Sequence, residues 1–166
     1  KNIKIVTDFA VEHIDGENGK IVDYGGDEVP FDLLVTIPTN MGDDLMARSG
    51  FGDDMNYVPT DKNTLQTTIK ENIFAIGDIA LMNTDKNYPN GHPQLAQAAI
   101  QQGKNLAENL RLISRNKPMK SFKYKNLGAM ATIGRNKAVV ELPRRNFSGF
   151  FAWVVWMVVH LRSILG

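Results

Sequence analysis

The 166-residue chain reads as an α/β fold, and three observations predict it. Two short, almost wholly apolar runs, residues 31–37 and 73–76, each stop at a chain breaker, as strands buried on both faces do. A helical pattern runs from His92 to about Arg115. Turn-punctuated strand patterns lie on either side of it.

In chain order, residues 3–6 and 10–14 alternate or run apolar. Asp15-Gly16-Glu17-Asn18-Gly19 supplies turn chemistry, residues 20–24 follow, and Gly25-Gly26-Asp27-Glu28 turns again, which together predict a small β-meander. The run 31–37 ends at Pro38, the expected release of a buried strand into a loop. Asp43 or Asp44 is placed to cap a short helix ending near Gly50. A segment with little pattern leads to Leu65. Residues 73–76 then form a compact strand closed by Gly77-Asp78. Within the long helix Pro93 suits the first turn, and Ala99, Gly103, Leu106, Leu110 and Ile113 recur at three- and four-residue spacing as an apolar stripe. After Pro118 the pattern returns to strands at 122–124, 129–133 and 138–142. The last two are joined through Gly134-Arg135-Asn136-Lys137 as a hairpin.

Composition excludes several chemistries. There is no cysteine, so thiol nucleophiles, disulfides and cysteine-ligated metals are ruled out. His13, His92 and His160 are scattered without ligand spacing, and no metal site is expected. Redox chemistry therefore requires a bound cofactor. Charge is steeply divided: residues 1–100 carry seven Lys/Arg against sixteen Asp/Glu, and residues 101–166 carry twelve against two, about −9 followed by +10. A basic end of this kind meets an anionic surface, nucleic acid or lipid headgroups, unless the two halves neutralise each other. A nucleic-acid partner is disfavoured because the basic residues are interleaved with a very apolar helix and no reading motif. The start at Lys1 and the absence of a signal-peptide pattern suggest a piece of a longer chain.

Gly77-Asp78 at the end of a strand would place a carboxylate where α/β folds bind ligands, with a glycine that lets backbone come close. Alone it is also a common turn dipeptide. Gln97 and Gln101, four residues apart, share one face near the N-terminal end of the helix, where free N–H groups and the helix dipole favour an electron-rich partner. Such glutamines are otherwise plain solvated surface. The tail from Phe147 to Leu161 is fifteen residues without Asp, Glu, Lys or Arg, short of the roughly 20 needed to span a membrane. With Phe150, Phe151, Trp153 and Trp156, and with Lys117, Lys120, Lys123, Lys125, Arg144 and Arg145 upstream, it suits a membrane surface. A buried core helix or a dimer interface is the alternative.

Glu71-Asn72-Ile73-Phe74-Ala75-Ile76-Gly77-Asp78-Ile79-Ala80, with Thr64-Leu65-Gln66-Thr67 upstream, resembles the second flavin-contacting motif of the two-dinucleotide-binding-domain flavoproteins. Ala96-Gln97-x-x-x-Gln101 and the stretch Asn126-Leu127-Gly128-Ala129-Met130-Ala131-Thr132-Ile133-Gly134-Arg135-Asn136-Lys137-Ala138-Val139 resemble the quinone site and flavin-side strand pair of the type II NADH dehydrogenases. The stretches Ile37-Pro38-Thr39-Asn40-Met41-Gly42-Asp43-Asp44-Leu45-Met46-Ala47-Arg48-Ser49-Gly50 and Val58-Pro59-Thr60-Asp61-Lys62 look more like sulfide:quinone oxidoreductases. The lack of cysteine favours NADH as electron donor.

The resemblance implies the closing part of an FAD-binding Rossmann-like domain. Residues 1–38 would be the tail of an NADH-binding domain, 39–116 the end of the FAD domain, and 117–166 a hairpin with a membrane-facing helix. It implies FAD contacts at Gly77, Asp78, Ala96, Gln97 and Ala98, and quinone contacts at Gln97, Gln101, Leu127 and Met130. Ordinary strand packing is the alternative for Met130. It further implies membrane contacts at Phe150, Trp153 and Trp156, NADH as the substrate of the full enzyme, and peripheral association with the cytoplasmic membrane face, with a homodimer possible. No Gly-x-Gly-x-x-Gly occurs, so the pyrophosphate-binding turns are expected upstream and the piece by itself is expected to be inert.

Overall fold

The computed structural model describes residues 3–37 and 39–165. Pro38, the expected breaker, and Lys1 lie outside the described residues. The chain divides into two units, Lys1–Asn40 and Met41–Gly166.

In the first unit β1 (Val11–Asp15), β2 (Lys20–Asp23) and β3 (Glu28–Pro30) form an antiparallel meander. Each turn is held by an aspartate. Asp15 accepts from the Asn18 backbone N–H at 3.0 Å and from its side-chain amide at 2.8 Å, which holds the Asp15 carboxyl below its ordinary range. Asp23 Oδ1 accepts from the N–H groups of Gly25 and Asp27, both at 2.8 Å. Two expected strands do not form. Residues 3–6 are irregular, and residues 31–37 are neither paired nor buried, with Leu33 82% and Ile37 94% exposed. A strand buried on both faces needs neighbouring strands and covering layers, and among the described residues no strand pairs with 31–37.

In the second unit Asp43 caps α1 (Asp44–Arg48), its carboxylate accepting from Leu45 N at 2.8 Å. β4 (Val58–Pro59) pairs in parallel with β5 (Ala80–Leu81). Between them Asp61 organises a turn through the N–H groups of Asn63 and Thr64. Burial pushes the Asp61 carboxyl up, and the hydrogen bonds from Thr64 and Asn63 outweigh it and hold it below its ordinary range. Residues 73–76 make one isolated bridge, Gln66 to Phe74, instead of the expected strand. Their side chains still build the core, since Phe74 and Ile76 pack with Ala80, Leu106 and Tyr124 around buried Leu65, Met82 and Phe122.

The long helix, α2 (Ala96–Ile113), starts later than the sequence suggests. Leu95 is its extended N-cap, so Pro93 lies ahead of it. Its buried residues are Ala98, Gln102 and Asn109, while Leu110 and Ile113 of the expected stripe are exposed. Only the N-terminal part of that stripe, through Leu106, turns toward the core.

Segment 122–124 is not a strand. Phe122 donates its N–H to the Asn63 carbonyl at 2.7 Å, and α2 holds Lys120 and Lys125 on either side, as described below. β6 (Ala129–Gly134) and β7 (Lys137–Leu142) form the expected pair, and β8 (Arg145–Gly149) makes it a three-stranded antiparallel sheet rather than a hairpin. Ala138 and Val140 alternate inward on β7. They meet Ala152 of α3 (Phe150–Leu165), with Met130, Phe147, Trp153 and Trp156 packed around them. No helix among the described residues is long and apolar enough to cross a membrane.

Candidate functional site

The site lies along the N-terminal half of α2, with a carboxylate turn on one flank and an extended backbone segment on the other. Gly77 opens a short 3-10 turn, Gly77–Ile79, with φ +73°. That left-handed value suits glycine and strains other residues. The turn leaves Asp78 exposed, at the edge of a cavity of about 300 Å³ that also takes in Tyr57, Asn90, His92, Pro93 and Gln94. The Gln94 side-chain amide donates to the Asp78 carbonyl at 3.0 Å. Behind the turn the N–H of Gly77 donates to Gln102 Oε1 at 2.6 Å.

This donor and acceptor set fits a polyol. An exposed carboxylate, two amides and a phenol line one cavity, and no side chain caps the first turn of α2. Free N–H groups at such a terminus favour an electron-rich group. Ala96 is exposed, whereas Ala98 is buried and donates its N–H to the Leu95 carbonyl at 2.9 Å. A second, apolar cavity of about 490 Å³, lined by Leu45, Met46, Phe51, Phe74 and Ile76 among others, holds none of the candidate residues.

On the opposite flank, Gln97 and Gln101 are not open surface amides. Gln97 accepts from Leu127 N at 3.0 Å and donates to the Gly128 carbonyl at 2.8 Å. Gln101 accepts from Lys125 N at 3.0 Å and donates to the Lys125 carbonyl at 2.9 Å. Asn109 continues the series with Lys120, accepting from its N–H at 2.8 Å and donating to its carbonyl at 3.0 Å. An amide side chain offers one donor and one acceptor side by side. It can therefore pair with an extended backbone as a neighbouring strand would, and α2 does so at 97, 101 and 109. Leu127 is exposed beside this clamp. Met130 packs in the sheet core beneath α3, which is the packing alternative.

The aromatic tail also differs in detail. Phe150 and Phe151 are exposed, whereas Trp153 and Trp156 are half-buried against the sheet. Trp156 stacks obliquely on His160 with centroids 4.2 Å apart. The exposed apolar surface of α3 is instead Phe150, Phe151, Val158, Val159, Leu161, Ile164 and Leu165.

Sequence reasoning missed Gln102, Asn109 and His92. The first two are polar residues seven apart, and the signal was their common helical face with Ala98. The His92 side chain is only 3% exposed and lies 3.3 Å from the Asp85 carboxylate, among Tyr88, Phe122 and Tyr124. The Asn87 N–H, and then the His92 ring, hold the Asp85 carboxyl below its ordinary range. Burial, with Tyr88 adding to it, pushes the Tyr124 hydroxyl up.

The model of the family described as pyridine nucleotide-disulphide oxidoreductase matches residues 1–103. The chain is 37% identical over 98 residues to the type II NADH:quinone oxidoreductase Ndh of Mycobacterium tuberculosis, covering 57% of this chain and 20% of that protein. It is 31% identical over 166 residues to the mitochondrial internal alternative NAD(P)H-ubiquinone oxidoreductase A1 of Arabidopsis thaliana, covering 88% of this chain and 32% of that one. The fold is similar to that of the sulfide:quinone oxidoreductase of Aquifex aeolicus, with a TM-score of 0.66 at 22% identity, covering 91% of this chain and 38% of that one. The chain thus spans between a fifth and a third of these two curated relatives.

Proposed function

Since the chain belongs to the pyridine nucleotide-disulphide oxidoreductase family, we propose that it is the closing, quinone-side part of an enzyme that carries electrons from NADH through FAD to a membrane quinone. One observation carries the reading: the N-terminal half of α2 meets the Gly77–Asp78 turn on one flank and the 125–128 segment on the other. Similarity to type II NADH:quinone oxidoreductases supports NADH and quinone as the substrates. Bound FAD would supply two-electron transfer between them. Residues 1–38 are read as the end of the NADH domain and 39–116 as the end of the FAD domain.

The side chains bind and orient. Asp78 accepts hydrogen bonds from ribityl hydroxyls, and Gly77 lets the backbone come close. The amino end of α2, at Ala96 and Gln97 with Ala98 packed behind them, turns its N–H groups and positive dipole end toward the isoalloxazine edge. Gln97 and Gln101 act on the quinone site by fixing the segment that carries Leu127, so that an exposed apolar wall stands beside the ring. In the full-length protein, Gln101→Ala frees the N–H and carbonyl of Lys125. Losing two hydrogen bonds of about 1 kcal/mol each slows quinone turnover on the order of tenfold or more. Flavin reduction by NADH stays at the wild-type rate. Stopped-flow flavin reduction and reoxidation separate the two steps, and equal loss in both counts against the quinone role. A full-length protein purified without flavin colour overturns the enzyme reading altogether.

The exposed face of α3 is read as the membrane contact, with Lys117, Lys123, Lys125, Arg144 and Arg145 exposed on the same unit. Burying one Leu or Ile side chain contributes about 1.5–3 kcal/mol. Leu161→Glu combined with Ile164→Glu therefore weakens co-sedimentation with anionic liposomes at least about tenfold. Added salt weakens the wild type as well. If a second copy covers the face instead, the same variant shifts the oligomeric state and leaves liposome binding unchanged.

A further inference from the structure

We infer that Gln102 is a positioning residue for the cofactor site, acting on Asp78 through the Gly77 turn. The inference rests on the reading that Asp78 holds a polyol hydroxyl of the flavin cofactor. Gln102 is 1% exposed, in the middle of α2, where its neighbours Ile76 and Leu106 belong to an apolar core. A buried amide costs free energy unless it is hydrogen-bonded, so the ordinary occupant of such a place is aliphatic. Its Oε1 instead takes the Gly77 N–H at 2.6 Å, across 25 residues of sequence.

That bond fixes a backbone position with left-handed torsion directly before Asp78, φ +73° at Gly77. A glycine free of such a restraint samples both signs of φ, and the direction of the next residue changes with it. The turn is held at two points from the helix side: Gln102 takes the N–H that enters it, and Gln94 reaches the carbonyl of Asp78. The Asp78 side chain has no such restraint in the hydrogen bonds of the site, so its aim is set by the backbone. Gln101, one residue earlier and about 100° around the helix, serves the other segment through Lys125. Two adjacent glutamines therefore join the carboxylate turn and the Leu127 segment to one rigid helix.

The test is a double-mutant cycle in the full-length protein, read as FAD affinity of the stripped protein by flavin fluorescence. Gln102→Leu keeps the volume and removes the acceptor. It weakens FAD about tenfold, the usual consequence of leaving one partly buried N–H unpaired. Asp78→Ala weakens FAD by a similar factor. The double variant binds about as weakly as Asp78→Ala alone, because a misaimed side chain matters only when it is present. Additive losses, about a hundredfold in the double variant, reduce Gln102 to a fold-stabilising residue and overturn the inference. Unchanged affinity in Gln102→Leu overturns it as well, and leaves the flavin reading standing. Unchanged affinity in Asp78→Ala removes the flavin reading, and the inference with it. If Gln102→Leu does not fold, hydrogen exchange of the Gly77 amide in the wild type decides: protection equal to that of the α2 interior supports the restraint, and loop-like exchange overturns it.

Discussion

Replacing Gly128 by alanine lowers the melting temperature by about 10 °C, from a loss of about 3–4 kcal/mol. Gly128 adopts φ +100°, and a Cβ there would lie 2.3 Å from the Glu141 carbonyl oxygen and 3.2 Å from Leu142 Cα. Both obstacles are backbone of β7, so no rotamer change relieves them. The next residue, Ala129, pairs with Glu141, and the start of β6 must therefore move away from its neighbour. The Gly128 carbonyl also accepts the Gln97 amide at 2.8 Å, so the displacement opens the clamp beside Leu127. Gly16→Ala is the control, since nothing lies within 4 Å of a Cβ built there. Thermal denaturation of both variants checks the pair, and a shift below about 2 °C for Gly128→Ala contradicts the close approach.

Asn109→Leu costs about 2–4 kcal/mol. The side chain is 0% exposed and makes three hydrogen bonds, two to the backbone of Lys120 and one in which its amide donates to Asn105 Oδ1 at 3.1 Å. Leucine fits the volume, leaves the Lys120 N–H without its partner and leaves the Lys120 carbonyl only the long contact from the Asn105 amide at 3.4 Å. Asn109→Asp does no better at neutral pH, since it keeps an acceptor for the N–H, sets a second acceptor against the carbonyl and buries a charge. Chemical denaturation measures the loss, and amide exchange locates it. Accelerated exchange should be concentrated at Lys120 and the segment that follows. Loss spread evenly along α2 instead would mean that Asn109 supports the helix rather than the clamp.

Gln102 and Asn109 mark where reading from the sequence stopped. The three- and four-residue spacing was sufficient to find α2, and Asp43, Asp15 and the Gly134–Lys137 turn each announced an element correctly, because a cap or a turn is made with groups a few residues away. The apolar stripe through Leu110 and Ile113 was misplaced toward its end. Spacing shows that a helix has faces, and only the partner decides which face is buried. Here part of the partner is backbone between residues 120 and 128, which pairs with no strand among the described residues and demands donors and acceptors. Residues 31–37 and 73–76 failed as strands for a related reason, since an apolar run forms a ladder only when a second segment offers matching N–H and carbonyl groups. The chemistry of Trp153 and Trp156 suits an interface, and the sheet under α3 takes one side of each.

The sequence by itself therefore determined the α/β class, the meander, the presence of the helices, the charge division and the motifs that place the chain in its family, because all of these are written in residues near one another. Only the tertiary structure decided that Gln97 and Gln101 face backbone, that Gln102 reaches the Gly77 turn and that β8 completes a third strand. Each of these joins groups distant along the chain or sets one face against another. Hydrogen-bond pairing of that kind depends on which segments the fold brings within about 3 Å, a distance that no local pattern specifies.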